Sequence, residues 1–240
     1  MSSPPPEKHC PPELINAWRT QGFEPLQHGE LAAAAEMMAS AFEADPLMAE
    51  LLPDTRRPAR AHKLLRFYRI QLRIFNDKGV CVAARRGQQL QAVLAFLPPR
   101  RVLTLSDEVL NGGLALLPLL GWHLPAALDV QSRASTLRQR HGPGAWYTAL
   151  AAVAPAAQKQ GWLRRGMAPV LTHAEQTGVG MYLETQNPTN VTVYQRMGLH
   201  LQETAPLGRL PHLAHHAMRT PEAAPRPHAS PASPPAPAQR

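Results

Sequence analysis

Cysteine is nearly absent: Cys10 and Cys81 are the only two in 240 residues, far apart and without the spacing of a disulfide framework or a metal ribbon. A stapled secreted scaffold is thereby excluded, and a reducing compartment suits the chain. No secretory leader is visible either, because MSSPPPEKHCPPE has prolines where an apolar segment should stand. The longest apolar stretch, 112–128, is interrupted by Pro118, His123 and Pro125, and reads as short of the roughly 20 apolar residues that a membrane span needs. No internal repeat occurs. No basic strand interleaved with aromatics and no nucleic-acid motif accompanies the formal charge of +8. The expectation is a soluble, cytoplasmic protein with no nucleic-acid partner and no membrane.

Much of the positive charge sits in one segment, RRPARAHKLLRFYRIQLR. Arg57, Arg60, Lys63, Arg66, Arg69 and Arg73 recur there among Leu64, Leu65, Phe67, Tyr68 and Leu72, the pattern of an amphipathic helix with a solvated basic face. Both ends read as disordered. Residues 1–12 contain five prolines, and residues 220–240 are dominated by Pro, Ala and Ser; such segments bury too little apolar surface to offset the entropy of ordering them. Residues 13–219 are left as one domain.

Within it the pattern is α/β. A short strand is predicted at 23–26, a helix over 30–44 ending before Asp45-Pro46, and a helix over 58–76 that begins at a proline. Runs at 79–84 and 89–96 predict a hairpin, and 101–140 reads as irregular helices. Then follow a strand (146–153), a glycine-containing loop, a helix (164–177), a strand (181–185), a short helix (190–197) and strand material from Leu199. Strand, loop, helix and strand of this length form a crossover unit, which favours two parallel strands.

The chemistry concentrates in two segments of this second half. In LAAVAPAAQKQGWLRRGMAPVL a strand of small residues runs through a loop into a helix. Amides of Lys159, Gln160, Gly161, Trp162, Leu163 and Arg164 at such a helix start form an anion site for a pyrophosphate, aided by the helix dipole. Glycine at 161 admits phosphate close to the backbone, and Arg164 and Arg165 add charge. In YLETQNPTNVTVYQRMGL a strand ends in polar residues and a short helix carries Tyr194. Asn190 reads as that helix's cap. His212, His215 and His216 lie in the last predicted strand without a convergent acidic or cysteine companion, so no metal is expected.

Together the two segments resemble the cofactor-binding half of the GNAT superfamily of N-acetyltransferases, in the form carried by puromycin N-acetyltransferase and its bacterial relatives. The pattern V-x-P-x-x-Q-x-x-G-x-G/A is met by Val153, Pro155, Gln158 and Gly161, with Leu163 in place of the last Gly or Ala. The pattern L-E-T-x-x-P-x-N-x-x-x-Y-x-x-x-G is met by Leu183, Glu184, Thr185, Pro188, Asn190, Tyr194 and Gly198.

The resemblance implies a mixed, mostly antiparallel sheet flanked by helices, with acyl-CoA between two splayed parallel strands. Ala151, Ala152 and Val153 would pair with the pantetheine arm, Gln158–Arg164 would hold the pyrophosphate, and Asn187 would contact the pantetheine or the helix end. Tyr194 would be the general acid at the departing thiolate, with no covalent enzyme intermediate. Glu184 is the candidate base, and Glu43 and Asp45 are others, since the strand before the loop, WYTALAAV, has no carboxylate. The implied co-substrates are acetyl-CoA and a small-molecule amine, used by a monomer or homodimer. Protein or peptide acetylation and a catalytically degenerate acyl-CoA-binding module are alternatives.

Overall fold

The computed structural model describes residues 10–54 and 56–221. In chain order its elements are α1 (Pro12–Thr20), β1 (Phe23–Pro25), α2 (Leu31–Ala41), α3 (Pro46–Leu51), α4 (Arg57–Lys78), β2 (Val80–Arg86), β3 (Gln89–Leu97), α5 (Leu105–Leu110), α6 (Leu116–Leu120), α7 (Leu124–His141), β4 (Trp146–Val153), α8 (Trp162–Thr177), β5 (Met181–Thr185), α9 (Pro188–Gln195), β6 (His200–Pro206) and β7 (Ala214–Arg219). The strands make one sheet in the order β1-β2-β3-β4-β5-β7-β6. Its pairings are antiparallel apart from β4 with β5, which run parallel. The mixed, mostly antiparallel sheet flanked by helices is as the sequence implies.

Successive side chains of a strand point to opposite faces, and here both faces are covered. Cys81, Ala83, Val93, Ala95 and Leu97 meet α2, α3 and α4 on one side. Val82, Ala84, Leu94 and Phe96 meet α1 and α8 on the other. Hence β2 and β3 show apolar runs and little polar alternation. Leu64, Tyr68 and Leu72 bury the inner stripe of α4 while Arg66, Arg69 and Arg73 remain exposed, the amphipathic arrangement read from the sequence.

Several boundaries differ from expectation. The helix predicted to Ala44 ends at Ala41, and Asp45 instead caps α3 by accepting the Met48 amide at 3.0 Å. Helix α1 has no counterpart in the sequence reading, which placed residues 10–12 in a disordered end. Pro12 opens that helix, Cys10 is buried, and Leu14, Ile15 and Trp18 enter the core. Thr220, assigned to the tail, is held by Met181 through its amide and its hydroxyl, both at 2.9 Å. The rest of both ends, residues 1–9 and 222–240, lies outside the described residues. The helical stretch Gly113–His141 is long and apolar enough to cross a membrane, which corrects the reading that it falls short. It is broken at Gly121, whose φ is 49°.

Close packing of α8 on the sheet depends on Gly166. A Cβ there would lie 2.7 Å from Leu94 Cδ1 and 2.8 Å from Phe23 Cζ, both fully buried side chains. The Gly166 carbonyl also accepts the Trp18 indole N–H at 2.8 Å. Gly166→Val is therefore expected to lower unfolding free energy by about 1–3 kcal/mol through overpacking, read as a fall in urea midpoint at unchanged slope.

Candidate active site

Strand β4 pairs along its length with β3 but meets β5 at only two positions, Trp146 with Met181 and Tyr147 with Tyr182. Between Thr148 and Leu150 the register with β3 shifts by one residue, leaving Ala149 as a bulge. A bulge bends its strand and sharpens the local twist, and from there on β4 and β5 separate. Thr148–Val153 therefore have no strand partner on the β5 side, and Leu183–Thr185 have none on the β4 side. A cavity of about 750 Å³ occupies the gap. Its walls include Thr148–Ala151 of β4, Leu183–Thr185 of β5, Asn190 and Tyr194 of α9, and α3–α7 on the far side.

Glu184 reaches this cavity on the same face of β5 as Tyr182, two residues earlier. Tyr182 stacks on Tyr147, with ring centroids 6.1 Å apart, and the Arg138 guanidinium lies 4.1 Å over the Tyr147 ring. Burial pushes the Glu184 carboxyl up to about 7, and the nearby hydroxyls of Tyr147 and Tyr182 and the Arg138 charge restrain the rise. These hydroxyls act on the carboxylate short of full hydrogen-bonding geometry: Glu184 Oε1 and the Tyr182 hydroxyl are both buried without a partner. A buried carboxylate oxygen in that state demands a donor, and an ammonium or a water would supply one. The sequence reading named Glu184 as a candidate and did not name Tyr147, Tyr182 or Arg138, which the structure sets around it. Period-two spacing links Tyr182 to Glu184, whereas only the strand register brings Tyr147 and Arg138 to them.

Tyr194 enters from the opposite face of the sheet, among the residues packed against α8. Burial pushes its phenol up to about 12, so it retains its proton at neutral pH. Helix α9 ends at the carbonyl of Tyr194, which accepts the amides of Met197 and Leu199, and Gly198 provides the required left-handed turn at φ 91°. Asn187 meets the helix end, one of the two contacts expected of it, and the cap expected of Asn190 is overturned. Asn187 caps α9, its side chain accepting from the Thr189 amide at 3.0 Å. Asn190 lies inside the helix, lines the cavity and donates to Thr185 Oγ1 at 3.3 Å.

The loop before α8 stands apart from the cavity walls, as do Ala152, Val153 and Asn187. Gln158, Lys159, Gln160, Gly161 and Arg164 are exposed. Lys159 and Gly161 both take left-handed backbone, at φ 63° and 81°, and Gly161 begins α8 with no side-chain cap. Among the described residues no protein acceptor takes the amides of 159–164. Alternation of this kind turns successive amides toward one concavity, a ready anion site. Open space surrounds the Cβ position of Gly161, so its torsion, more than phosphate contact, calls for glycine. Trp162 and Leu163 pack their side chains into the core cluster around α8 and offer only amides to the loop. Arg165 is diverted, donating to the Gln21 carbonyl at 2.6 Å and stacking on Trp162 at 4.4 Å.

Of the other candidates, Asp45 lines the cavity with its carboxyl raised by burial, while Glu43 is not among the lining residues. The thiols of Cys10 and Cys81 are both pushed up by burial and are poor nucleophiles. The three histidines disperse: His212 meets Glu50, His215 lies between Gln186 and the Val130 carbonyl, and His216 meets Thr204. No metal-binding cluster occurs among the described residues.

No protein-family model matches the chain, and no curated protein matches it by sequence. Solved structures do match. An acetyltransferase of the histone acetyltransferase HPA2 kind from Corynebacterium glutamicum has a TM-score of 0.63 at 17% identity, covering 85% of this chain and 97% of that one. A GNAT-family protein from Desulfovibrio desulfuricans gives 0.51 at 13% identity, over 84% and 98%. The polyamine N-acetyltransferase of Drosophila melanogaster, which forms N-acetylagmatine, gives 0.51 at 15% identity, over 82% and 96%. The likeness is one of fold: this chain has the architecture of the GNAT acetyltransferases.

The elevated Glu184 pKa makes stability depend on pH. Because the folded state holds this proton above the ordinary carboxylate range, it binds more protons than the unfolded chain up to about pH 7, and stability falls as pH rises through that window. Glu184→Gln is expected to flatten that decline in chemical denaturation series run between pH 5 and 8.

Proposed function

We propose that this chain is a GNAT acyltransferase that moves an acetyl group from acetyl-CoA directly to the primary amine of a small molecule. The observation that carries this reading is the parting of β4 and β5, which leaves unpaired strand edges beside a carboxylate, a phenol and a cavity. The residues present fit the donor. The free edge of β4 at Ala151–Val153 offers alternating N–H and C=O groups to the amides of a pantetheine arm, in the manner of strand addition. The orphan amides of 159–164, with Lys159 and Arg164 beside them, suit a pyrophosphate. Acetyl-CoA supplies the activated thioester.

The chain's own groups then divide the proton chemistry. Glu184, titrating near neutrality, takes a proton from the acceptor ammonium directly or through one water, freeing the lone pair that attacks the thioester carbonyl. Tyr194, kept neutral by burial, donates to the departing thiolate sulfur. No enzyme nucleophile takes part. Kinship with puromycin N-acetyltransferase is supported by the residues Val153, Pro155, Gln158 and Gly161 followed by Leu183–Thr185, Pro188, Asn190, Tyr194 and Gly198. An amine acceptor also accords with fold neighbours named for agmatine and polyamine acetylation. The working domain takes in Cys10–Pro12 and Thr220 beyond the 13–219 bounds read from the sequence, and acts in the cytoplasm.

Calorimetric titration with CoA and thiol release from acetyl-CoA across an amine panel test the proposal. Saturable binding with amine-dependent release is expected, and absence of both would overturn it. Tyr194→Phe should lower kcat by about 10²-fold or more with CoA affinity unchanged, and Glu184→Gln should remove the limb of the rate profile near pH 7.

A further inference from the structure

The cavity extends well past the strand gap, into a lobe walled by residues 102–128 and by the inner faces of α3 and α4. Its chemistry is lopsided. Val102, Val109, Leu114, Leu117 and Leu128 all line it, and each is among the most solvent-exposed large apolar residues described, from 39% for Val109 to 69% for Val102. Five solvent-accessible apolar side chains thus lie along one cavity lining. A mostly apolar lining with few polar groups is the character of a small-molecule binding site.

The charges lining the same cavity are three guanidiniums, Arg100, Arg101 and Arg138, against two carboxylates, Asp45 and Glu184. Neither carboxylate is spare. Glu184 is committed to the transfer step, and Asp45 caps α3 with the Arg60 charge beside it. A second ammonium on the acceptor would find no counter-ion and would face excess positive charge, while desolvating it is costly.

We infer that the acceptor is a lipophilic amine carrying a single positive charge, an alkyl or arylalkyl monoamine, and that this site rejects polyamines. The inference rests on the transferase reading and narrows it. The amino group lies at Glu184, and the hydrocarbon body takes the lobe walled by Leu114 and Leu117, where each added methylene removes apolar surface from water.

Thiol release from acetyl-CoA should be measured with straight-chain monoamines of increasing length, and with the terminal diamine of each length. The kcat/KM for monoamines should rise about threefold per methylene until the lobe is filled. Each diamine should fall at least about tenfold below its monoamine, the penalty of an unpaired charge. Leu114→Asp and Leu117→Asp, changes at exposed positions, should flatten the length dependence by lowering kcat/KM for the longer monoamines. A flat series, or diamines equal to or better than monoamines, overturns the inference while leaving the transferase reading intact. If no amine releases thiol, the transferase reading fails, and calorimetric titration with octylamine against 1,8-diaminooctane decides the ligand class. Saturable octylamine binding weakened by Leu117→Asp upholds it, and equal or absent binding overturns it.

Discussion

A sheet whose two central strands share only the Trp146–Met181 and Tyr147–Tyr182 pairings carries unpaired backbone groups into its own middle. Backbone N–H and C=O groups away from water need partners, so the gap persists only if solvent or a ligand supplies them. That constraint explains the rest of the site. Glu184 belongs to the face of the sheet covered by α7, and Tyr194 to the face covered by α8. In an intact sheet the two would be separated by a continuous layer of backbone. Because the strands part, both border one cavity, and side chains from opposite faces of the sheet reach the same space.

Burial then sorts their protonation. Low dielectric disfavours the charged form of any acid, so both groups titrate upward, yet with different consequences. The carboxyl moves to about 7 and the phenol to about 12. At neutral pH the first is partly ionised and able to accept a proton, and the second is fully protonated and able to give one. One physical cause thus leaves one group able to accept a proton and the other able to give one, the separation that the proposed acyl transfer would use.

Local signals in the sequence were sufficient for β4 and β5, whose bounds at 146–153 and 181–185 coincide with the structure, and for the glycine that starts α8. They were insufficient wherever long-range pairing decides. The bulge at Ala149 is invisible in WYTALAAV because it exists only against β3. The tyrosine pair beside Glu184 depends on parallel register between strands over thirty residues apart in sequence. That Asn187 and not Asn190 caps the short helix turns on where α9 begins, and Pro188 in its first turn settles that. Helix α1 was hidden by its prolines, which composition assigns to disorder but which are tolerated in a helix's opening turn. Leu163, which stands where the pattern has Gly or Ala, packs its side chain against the core around α8.

The stretch from Gly113 to His141 shows how an apolar composition is ambiguous until the fold assigns its direction. By length and hydropathy alone it passes for a membrane span. In the fold the turn at Gly121 breaks it, and its apolar residues include Leu114, Leu117 and Leu128 on the cavity wall. A core helix would have buried those side chains, and a merely solvated helix would have replaced them with polar ones, since exposed apolar contiguity promotes association. Neither happened. The part of this apolar content that lines the cavity is what the proposed acceptor preference rests on: the same chain that closes its core with Trp18, Phe96 and Trp146 keeps these side chains open to the space that Glu184 also borders.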